Sequence, residues 1–422
     1  MRYTKTTLSN GVRIITVPLK DNPTVSFAVY VRAGSLSENK SENGIAHFLE
    51  HMCFKGTKKR PTSNSISLEL DSIGASYNAS TGRECTVYYA KADAKHFATI
   101  ADVISDISLS SVFPEKEMEK EKGVVLGEIS MYEDEPQEKV WEILHVLMYG
   151  DSPAGREILG TKETVQSFSQ KNIKDFHTNH YIPENIVVAV SGRIDEAQAV
   201  EVVTKTFSLL SQGVKKESVL IPESQKEPAL TILDKKTDQA HIVLAFRAFN
   251  RFDADRYVLW VIRTLLRGGM SSRLFKKLRE EMGAGYYVSA GYDLRDTHGF
   301  FTLSTGTDPK KVEEVLQALL HEVRRLKTEK VSDEELKKVK DYIRGKRAMS
   351  FETSDDVADF YADQEVMYGE IKTQDDYEKI LEKVTAEDIL RVAQRVFVNA
   401  GLNLAMVATG QDEKKIRTFL EV

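Results

Sequence analysis

The feature that most restricts the fold of this 422-residue chain is a weak internal repeat. The segment NIVVAVSG from Asn185 corresponds to NLAMVATG from Asn403, 218 residues later. The segment FPEKEMEKEKGVVLGEI from Phe113 lies opposite VSDEELKKVKDYIRGKR from Val331 at the same offset. Similar segments in the same order indicate duplication of a structural unit. The sequence therefore predicts two homologous domains.

Each copy contains the same series of predicted elements. Alternating apolar residues in 12–18 and 25–34 predict strands, and the apolar spacing of 44–56 predicts a helix that ends near a glycine. Further helices and adjacent strands follow. Because strands neighbour one another in the chain, this order favours an α+β fold over a doubly wound parallel sheet. We expect a mostly antiparallel sheet in each domain, with helices packed on one face.

The boundary between the copies is expected in a polar stretch. The segment SQGVKKESVLIPESQKEP, which starts at Ser211, contains two prolines and no helical period. We therefore expect an N-terminal domain at residues 1–212, a linker at 213–228 and a C-terminal domain at 229–422.

Composition limits the cellular compartments and the classes of binding partner that are consistent with this sequence. The formal charge of -6 argues against a nucleic-acid binder that relies on clustered basic residues. No apolar run approaches the roughly 18 residues of a membrane span, and no signal or transit segment precedes the first predicted strand. Only Cys53 and Cys85 are present, which indicates a reducing compartment and predicts two small core residues. We expect a bacterial cytoplasmic protein.

The sharpest chemical signal is the sequence His47-Phe48-Leu49-Glu50-His51. On a helix, residues four apart share a face, so both imidazoles can bind one metal ion. Glu50 lies near the same face and could act on a water at the metal without being a ligand. This H-x-x-E-H order is that of the inverzincins. The alternative without a metal site is a surface helix with two solvated histidines.

A catalytic zinc site needs a third protein ligand from elsewhere in the fold. Glu128 is a candidate on the long charged helix, although it is one of several acidic residues there. Glu121 lies two helical turns earlier on the same face, where it could accept a hydrogen bond from a ligating histidine.

The stretch from Val31 to Pro61, which includes GIAHFLEHMCFKGT, resembles the pitrilysin (insulinase) family of zinc peptidases, and in particular bacterial homologues of the β subunit of mitochondrial processing peptidase. The resemblance covers most of the chain. It implies the processing-peptidase-like metallohydrolase fold and a zinc metalloendopeptidase with one Zn²⁺ per chain. His47, His51 and Glu128 would be the metal ligands, Glu50 the general base and Glu121 the carboxylate behind a ligand.

The resemblance also assigns residues outside the metal site. Arg279 and Tyr286 match a pair that holds substrate and stabilises the oxyanion. Asn78 and Ala79 match a sheet edge to which peptide substrates add as a strand. Without the resemblance, these residues read as ordinary surface or core positions. The second copy has no His or Glu opposite the motif helix, and Lys346 lies opposite Glu128, so we expect no second metal site.

Family members work with four such domains, so the resemblance implies that this two-domain chain pairs, as a homodimer or alternatively a heterodimer. The dimer would enclose a chamber that admits short unstructured peptides. One alternative function is a dedicated maturation protease that processes a single leader peptide. The other is a non-catalytic organising subunit, which the intact motif disfavours. No nucleic-acid or membrane partner is expected.

Overall fold

In a computed structural model, which describes residues 2–422, the chain forms two compact units. The first unit consists of residues up to 129, 157–217 and 348–374. The second consists of residues 130–156, 218–347 and 375–422. These units differ from the division into 1–212 and 229–422 because each takes one helical segment from the other half of the chain.

The first unit is built on a six-stranded sheet. Its strands are β1 (Thr4–Thr7), β2 (Arg13–Pro18), β3 (Thr24–Val31), β4 (Ser76–Thr81), β5 (Thr86–Asp93) and β6 (Ile186–Gly192). They lie in the order β1-β2-β6-β3-β5-β4. β2 and β6 are parallel, and the other neighbours are antiparallel. β4 is therefore an edge strand that pairs with β5.

The second unit contains a five-stranded sheet. Its strands are β7 (Ala229–Asp234), β8 (Ala240–Ala248), β9 (Tyr287–Leu294), β10 (Gly299–Thr307) and β11 (Leu402–Ala408). Their order, β7-β11-β8-β10-β9, matches β2-β6-β3-β5-β4 strand for strand, including the one parallel pair. The predicted α+β class with two homologous, mostly antiparallel sheets is confirmed.

Helices connect and cover the strands. In chain order they are α1 (Ile45–Cys53), α2 (Ser63–Asp71), α3 (Phe97–Ser110), α4 (Glu115–Asp134), α5 (Pro136–Tyr149), α6 (Lys162–Ser167), α7 (Gln170–His180), α8 (Glu196–Phe207), α9 (Arg256–Arg267), α10 (Val312–Thr328), α11 (Asp333–Met349), α12 (Ser354–Tyr368), α13 (Gln374–Lys383), α14 (Ala386–Val396) and α15 (Glu413–Arg417). A π-helical turn covers Phe275–Glu281. None of the helices in residues 2–422 is long and apolar enough to cross a membrane.

Helices cover both faces of the first sheet. One face packs against α1, α3 and α8. The opposite face packs against α12, whose Val357 and Tyr361 are buried with Ile15, Tyr30 and Val187 of the strands. The expectation of helices on one face is thus corrected. β3 and β6 are apolar on both faces, so each face needs a cover.

The second sheet is covered in the same way. α5 lies against β7, β8 and β11, while α9, α10 and α14 contribute to the main core of the unit. The units differ from the two halves of the chain in two helices. α5 comes from the first half but belongs to the second unit, and α12 comes from the second half but belongs to the first unit. Each is the helix that follows the long charged helix of its own repeat.

The two cysteines are buried free thiols, as the sequence predicts. Cys53 ends α1 and accepts a hydrogen bond from the Tyr88 hydroxyl, with the oxygen and sulfur 3.3 Å apart. Burial raises the pKa of the Cys53 thiol to about 12. A thiol held in this way is an unreactive core group.

Candidate metal centre

Helix α1 presents two imidazoles on one face. It begins after Gly44, which has a φ of 92° and whose Cβ, if present, would lie 2.4 Å from the Leu159 carbonyl oxygen. Glycine is therefore required at that turn. Apolar residues of α1 are buried in the core, and His47 and His51 lie one turn apart with ring centroids separated by 4.6 Å.

Glu128 of α4 reaches the same place. Its Oε2 lies 3.7 Å from Nε2 of His47 and 3.7 Å from Nε2 of His51. Buried Met118, Val125 and Ile129 hold α4 in the core. Glu128, which follows His51 by 77 residues in the sequence, is thus brought together with both histidines.

The donor set fits Zn²⁺. Histidine nitrogen and carboxylate oxygen bind zinc at about 2.0–2.2 Å, so neighbouring ligand atoms in a tetrahedron lie roughly 3.4 Å apart. One ligand atom from each of His47, His51 and Glu128 lies within 4.8 Å of the others. Small side-chain adjustments would close this triangle on one ion and leave a fourth position open.

His51 is oriented from behind by a carboxylate. Its Nδ1 lies 2.8 Å from Oε1 of buried Glu121, and the other oxygen of Glu121 lies 2.6 Å from the Lys55 ammonium. Burial raises the pKa of Glu121, but the hydrogen bonds and charges of His51 and Lys55 outweigh this and lower it. Glu121 is therefore an acceptor that leaves Nε2 of His51 directed to the metal position.

His47 is held neutral. Burial, together with the nearby charge of His51, lowers the pKa of His47 to about 4. A neutral imidazole keeps the lone pair that metal binding requires. Its Nδ1 is buried and has no hydrogen-bond partner in the described chain, in contrast to Nδ1 of His51.

Glu50 stands beside the group and is not a member of it. Its Oε2 accepts a hydrogen bond from the Thr81 hydroxyl at the end of β4. Burial raises the pKa of Glu50, and Glu128 adds to the rise against the opposing effects of Thr81 and His51. A half-buried carboxylate with a raised pKa suits a group that accepts and returns a proton.

Arg279 and Tyr286 lie next to each other in the second unit. Nη1 of Arg279 donates to the carbonyl oxygens of Gly285 and Tyr286 at 2.8 and 2.9 Å. The Tyr286 side chain is 58% exposed. The guanidinium therefore fixes the turn from which the exposed phenol projects.

Asn78 and Ala79 lie on the edge strand β4. They pair with Tyr89 and Tyr88 of β5. Asn78 is exposed, whereas Ala79 is buried against the core that includes α1. The structure thus places these residues at the sheet edge that borders the metal helix.

Sequence reasoning missed Lys55 and Thr81. Lys55 follows His51 by four residues and could have been noticed as a partner for Glu121. Thr81 had no such signal, because it meets Glu50 only through the packing of β4 against α1.

Comparisons with known proteins match most of the chain. A family model described as Insulinase (Peptidase family M16) matches residues 13–162, and one described as Peptidase M16 inactive domain matches residues 167–343. An uncharacterized zinc protease of Bacillus subtilis is 34% identical over 93% of this chain and 95% of its own length. One of Streptomyces coelicolor is 32% identical over 93% of this chain and 86% of its own length.

Solved structures share the fold. A protease from Helicobacter pylori superposes with a TM-score of 0.90 at 23% identity, covering 96% of this chain and 99% of that one. An M16-like peptidase from Alicyclobacillus acidocaldarius gives 0.84 at 20% identity, covering 97% and 98%. At these identities the likeness concerns the fold alone.

Proposed function

The chain belongs to the insulinase family, peptidase family M16, and from this premise we propose that it is a zinc-dependent metalloendopeptidase that cleaves short unstructured peptides. The observation that carries the proposal is the convergence of His47, His51 and Glu128 on one point, with Glu50 beside them. Similar relatives that carry the name zinc protease support the choice of metal.

His47, His51 and Glu128 would hold the ion. When bound there, zinc supplies Lewis acidity that polarises a peptide carbonyl and acidifies water. The chain's own residues prepare the site: burial keeps His47 neutral, and Glu121 fixes the orientation of the His51 ring.

Glu50 is the proposed general base. Its carboxylate takes the proton of the attacking water and later delivers it to the leaving amine. The hydrogen bond from Thr81 holds one carboxylate oxygen, which leaves the other to receive the proton. The raised pKa of Glu50 makes the carboxyl a stronger base than an exposed glutamate.

Arg279 and Tyr286 are the proposed stabilisers of the developing oxyanion, since both side chains donate hydrogen bonds. Substrate would add to β4 through main-chain hydrogen bonds at Asn78 and Ala79. This mode recognises any extended peptide, so it favours unstructured substrates over folded ones. The chain would act as a homodimer in which the paired units enclose the substrate.

The function is tested by incubating wild-type protein and Glu50→Gln with a mixture of disordered peptides of about 10–40 residues and identifying the products by mass spectrometry. We expect Glu50→Gln to retain zinc but to lose about 10²–10⁴-fold in kcat, because the base is removed and the ligands remain. Chelation should abolish wild-type cleavage, and added zinc should restore it.

The matched control is Glu119→Gln on the exposed side of α4, where a lost carboxylate should leave cleavage unchanged. A Glu50→Gln protein as active as wild type would refute the assignment. Cleavage of a single peptide in the mixture would instead favour a dedicated processing protease.

A further inference from the structure

Glu38 lies buried beside the start of α1 and has no part in the proposed mechanism. It is 3% exposed. Its Oε2 accepts hydrogen bonds from the Gly44 backbone N–H at 2.8 Å and from Nδ2 of Asn43 at 3.1 Å. Its Oε1 accepts one from the Ala46 backbone N–H at 2.9 Å. Both oxygens are therefore engaged by the first turn of the metal helix.

A buried carboxyl of this kind is costly to keep. Burial raises the pKa of Glu38 to about 8, against the lowering effect of the three hydrogen bonds. No lysine or arginine is paired with Glu38 in residues 2–422. The compensation comes instead from backbone N–H groups at the start of α1, which have no partner within the helix and donate to Glu38, and from the positive end of the α1 dipole. All three hydrogen bonds of this group serve one short helix.

The same turn is fixed from its other side. Nδ2 of Asn43 also donates to the Glu157 carbonyl oxygen at 2.7 Å, and the Thr164 hydroxyl donates to the Asn43 carbonyl oxygen at 2.7 Å. A Cβ on Gly160 would lie 2.3 Å from that same Asn43 oxygen. The start of α1 is thus held between Glu38 and the segment 157–164.

We propose that Glu38 is a positioning residue for the metal site, which sets the rotation and height of α1 so that His47 and His51 face Glu128. Ala46, which Glu38 binds, directly precedes His47. One residue of an α-helix corresponds to about 100° of rotation and 1.5 Å of rise, so a small slip at this turn moves both imidazoles away from Glu128. The inference rests on the proposed zinc site but does not depend on peptide cleavage.

The test is the zinc dissociation constant of Glu38→Gln, measured on metal-free full-length protein by competition with a chelator. The amide replaces one oxygen of the carboxyl by an NH2 group, which cannot accept a hydrogen bond in any protonation state of the site, so at least one donor of the α1 turn loses its partner. We expect zinc binding roughly tenfold weaker than in wild type, as for other groups that hold metal ligands in place.

The control is Asp195→Ala, which removes the carboxylate that caps α8 elsewhere in the same unit. Stability is measured alongside by chemical denaturation. Wild-type zinc affinity in folded Glu38→Gln would overturn the proposal, as would equal weakening in an Asp195→Ala protein that has lost as much stability. Failure of wild-type protein itself to bind zinc would instead refute the proposed metal site.

A milder variant keeps the proposal testable if Glu38→Gln does not fold. Asn43→Ala removes one of the three donors and leaves Glu38 in place. We expect zinc binding weaker than in wild type and in Asp195→Ala. Unchanged affinity in folded Asn43→Ala would then overturn the role of this turn.

Discussion

At the scale of single residues, Thr81 joins two parts of the candidate site that are distant in sequence. Its backbone ends the edge strand β4, where Asn78 and Ala79 lie, and its hydroxyl donates to Glu50 on α1. In strand β4, Ala79 and Thr81 share a face because side chains alternate. The hydroxyl of Thr81 thus fixes the position of the proposed base relative to the strand that is proposed to receive the peptide.

We expect Thr81→Val to lower kcat by about ten- to a hundredfold while leaving KM and zinc content nearly unchanged. Valine has the shape of threonine but cannot donate, and a lost hydrogen bond to a charged group costs about 1.5–3 kcal/mol. Thr81→Ser keeps the hydroxyl and should recover most of the rate. Steady-state kinetics with zinc analysis checks this.

A Thr81→Ser protein as impaired as Thr81→Val would contradict this prediction, because serine keeps the hydroxyl and should therefore keep the hydrogen bond to Glu50. A Thr81→Val protein with wild-type kcat would show that Glu50 needs no such support.

Residues of the site differ in how far the sequence reveals them. His47, Glu50 and His51 are readable because a helix fixes their spacing locally. Glu128 and Glu121 share a face of α4, but their approach to α1 is set by core packing. Thr81 and Glu38 act through hydrogen bonds that form only once β4 and the turn before α1 are in place. No local pattern marks such residues.

At the scale of elements, α12 belongs to the first unit although it lies in the second half of the sequence. Its Tyr361 is fully buried against the first sheet, together with Val357 and Ala358. Its neighbours Asp355 and Asp359 bind Lys91 of β5 and Tyr30 of β3. A helix from the second half of the chain therefore completes the core of the first unit.

We expect Tyr361→Ala to destabilise the first unit by about 3–5 kcal/mol, because a large aromatic side chain leaves a cavity in a sheet-facing core. Tyr132→Ala, at a position that is 39% exposed, is the control and should change stability little. The free energy of unfolding is measured for both on metal-free protein. Similar small losses in the two variants would contradict the role given to α12.

The sequence predicts the strands and most helices, because their apolar periods are strong. It does not predict the destinations of α5 and α12. The sequence of an amphipathic helix shows which face is buried, but it does not show against which sheet that face packs. The continuous apolar runs of β3 and β6 did hold a signal, since strands buried on both faces require two covers.

At the scale of the whole molecule, the proposed chemistry is divided between the two units. The metal group and Glu50 belong to the first unit, whereas Arg279 and Tyr286 belong to the second. The chain carries each part once. We propose that in a homodimer the Arg279 and Tyr286 of one chain serve the metal site of its partner, so that each dimer has two composite sites.

This arrangement predicts complementation between two inactive variants. Glu50→Gln keeps Arg279 but lacks the base, and Arg279→Ala keeps the base but lacks the guanidinium. After random exchange, about half of the dimers are mixed and each has one intact composite site of two, so activity should reach roughly a quarter of wild type. If Arg279 acts within its own chain, every site remains defective and no recovery occurs. Mass spectrometry of the intact complexes must confirm that mixed dimers are present, because only then does a lack of recovery count against sharing between chains.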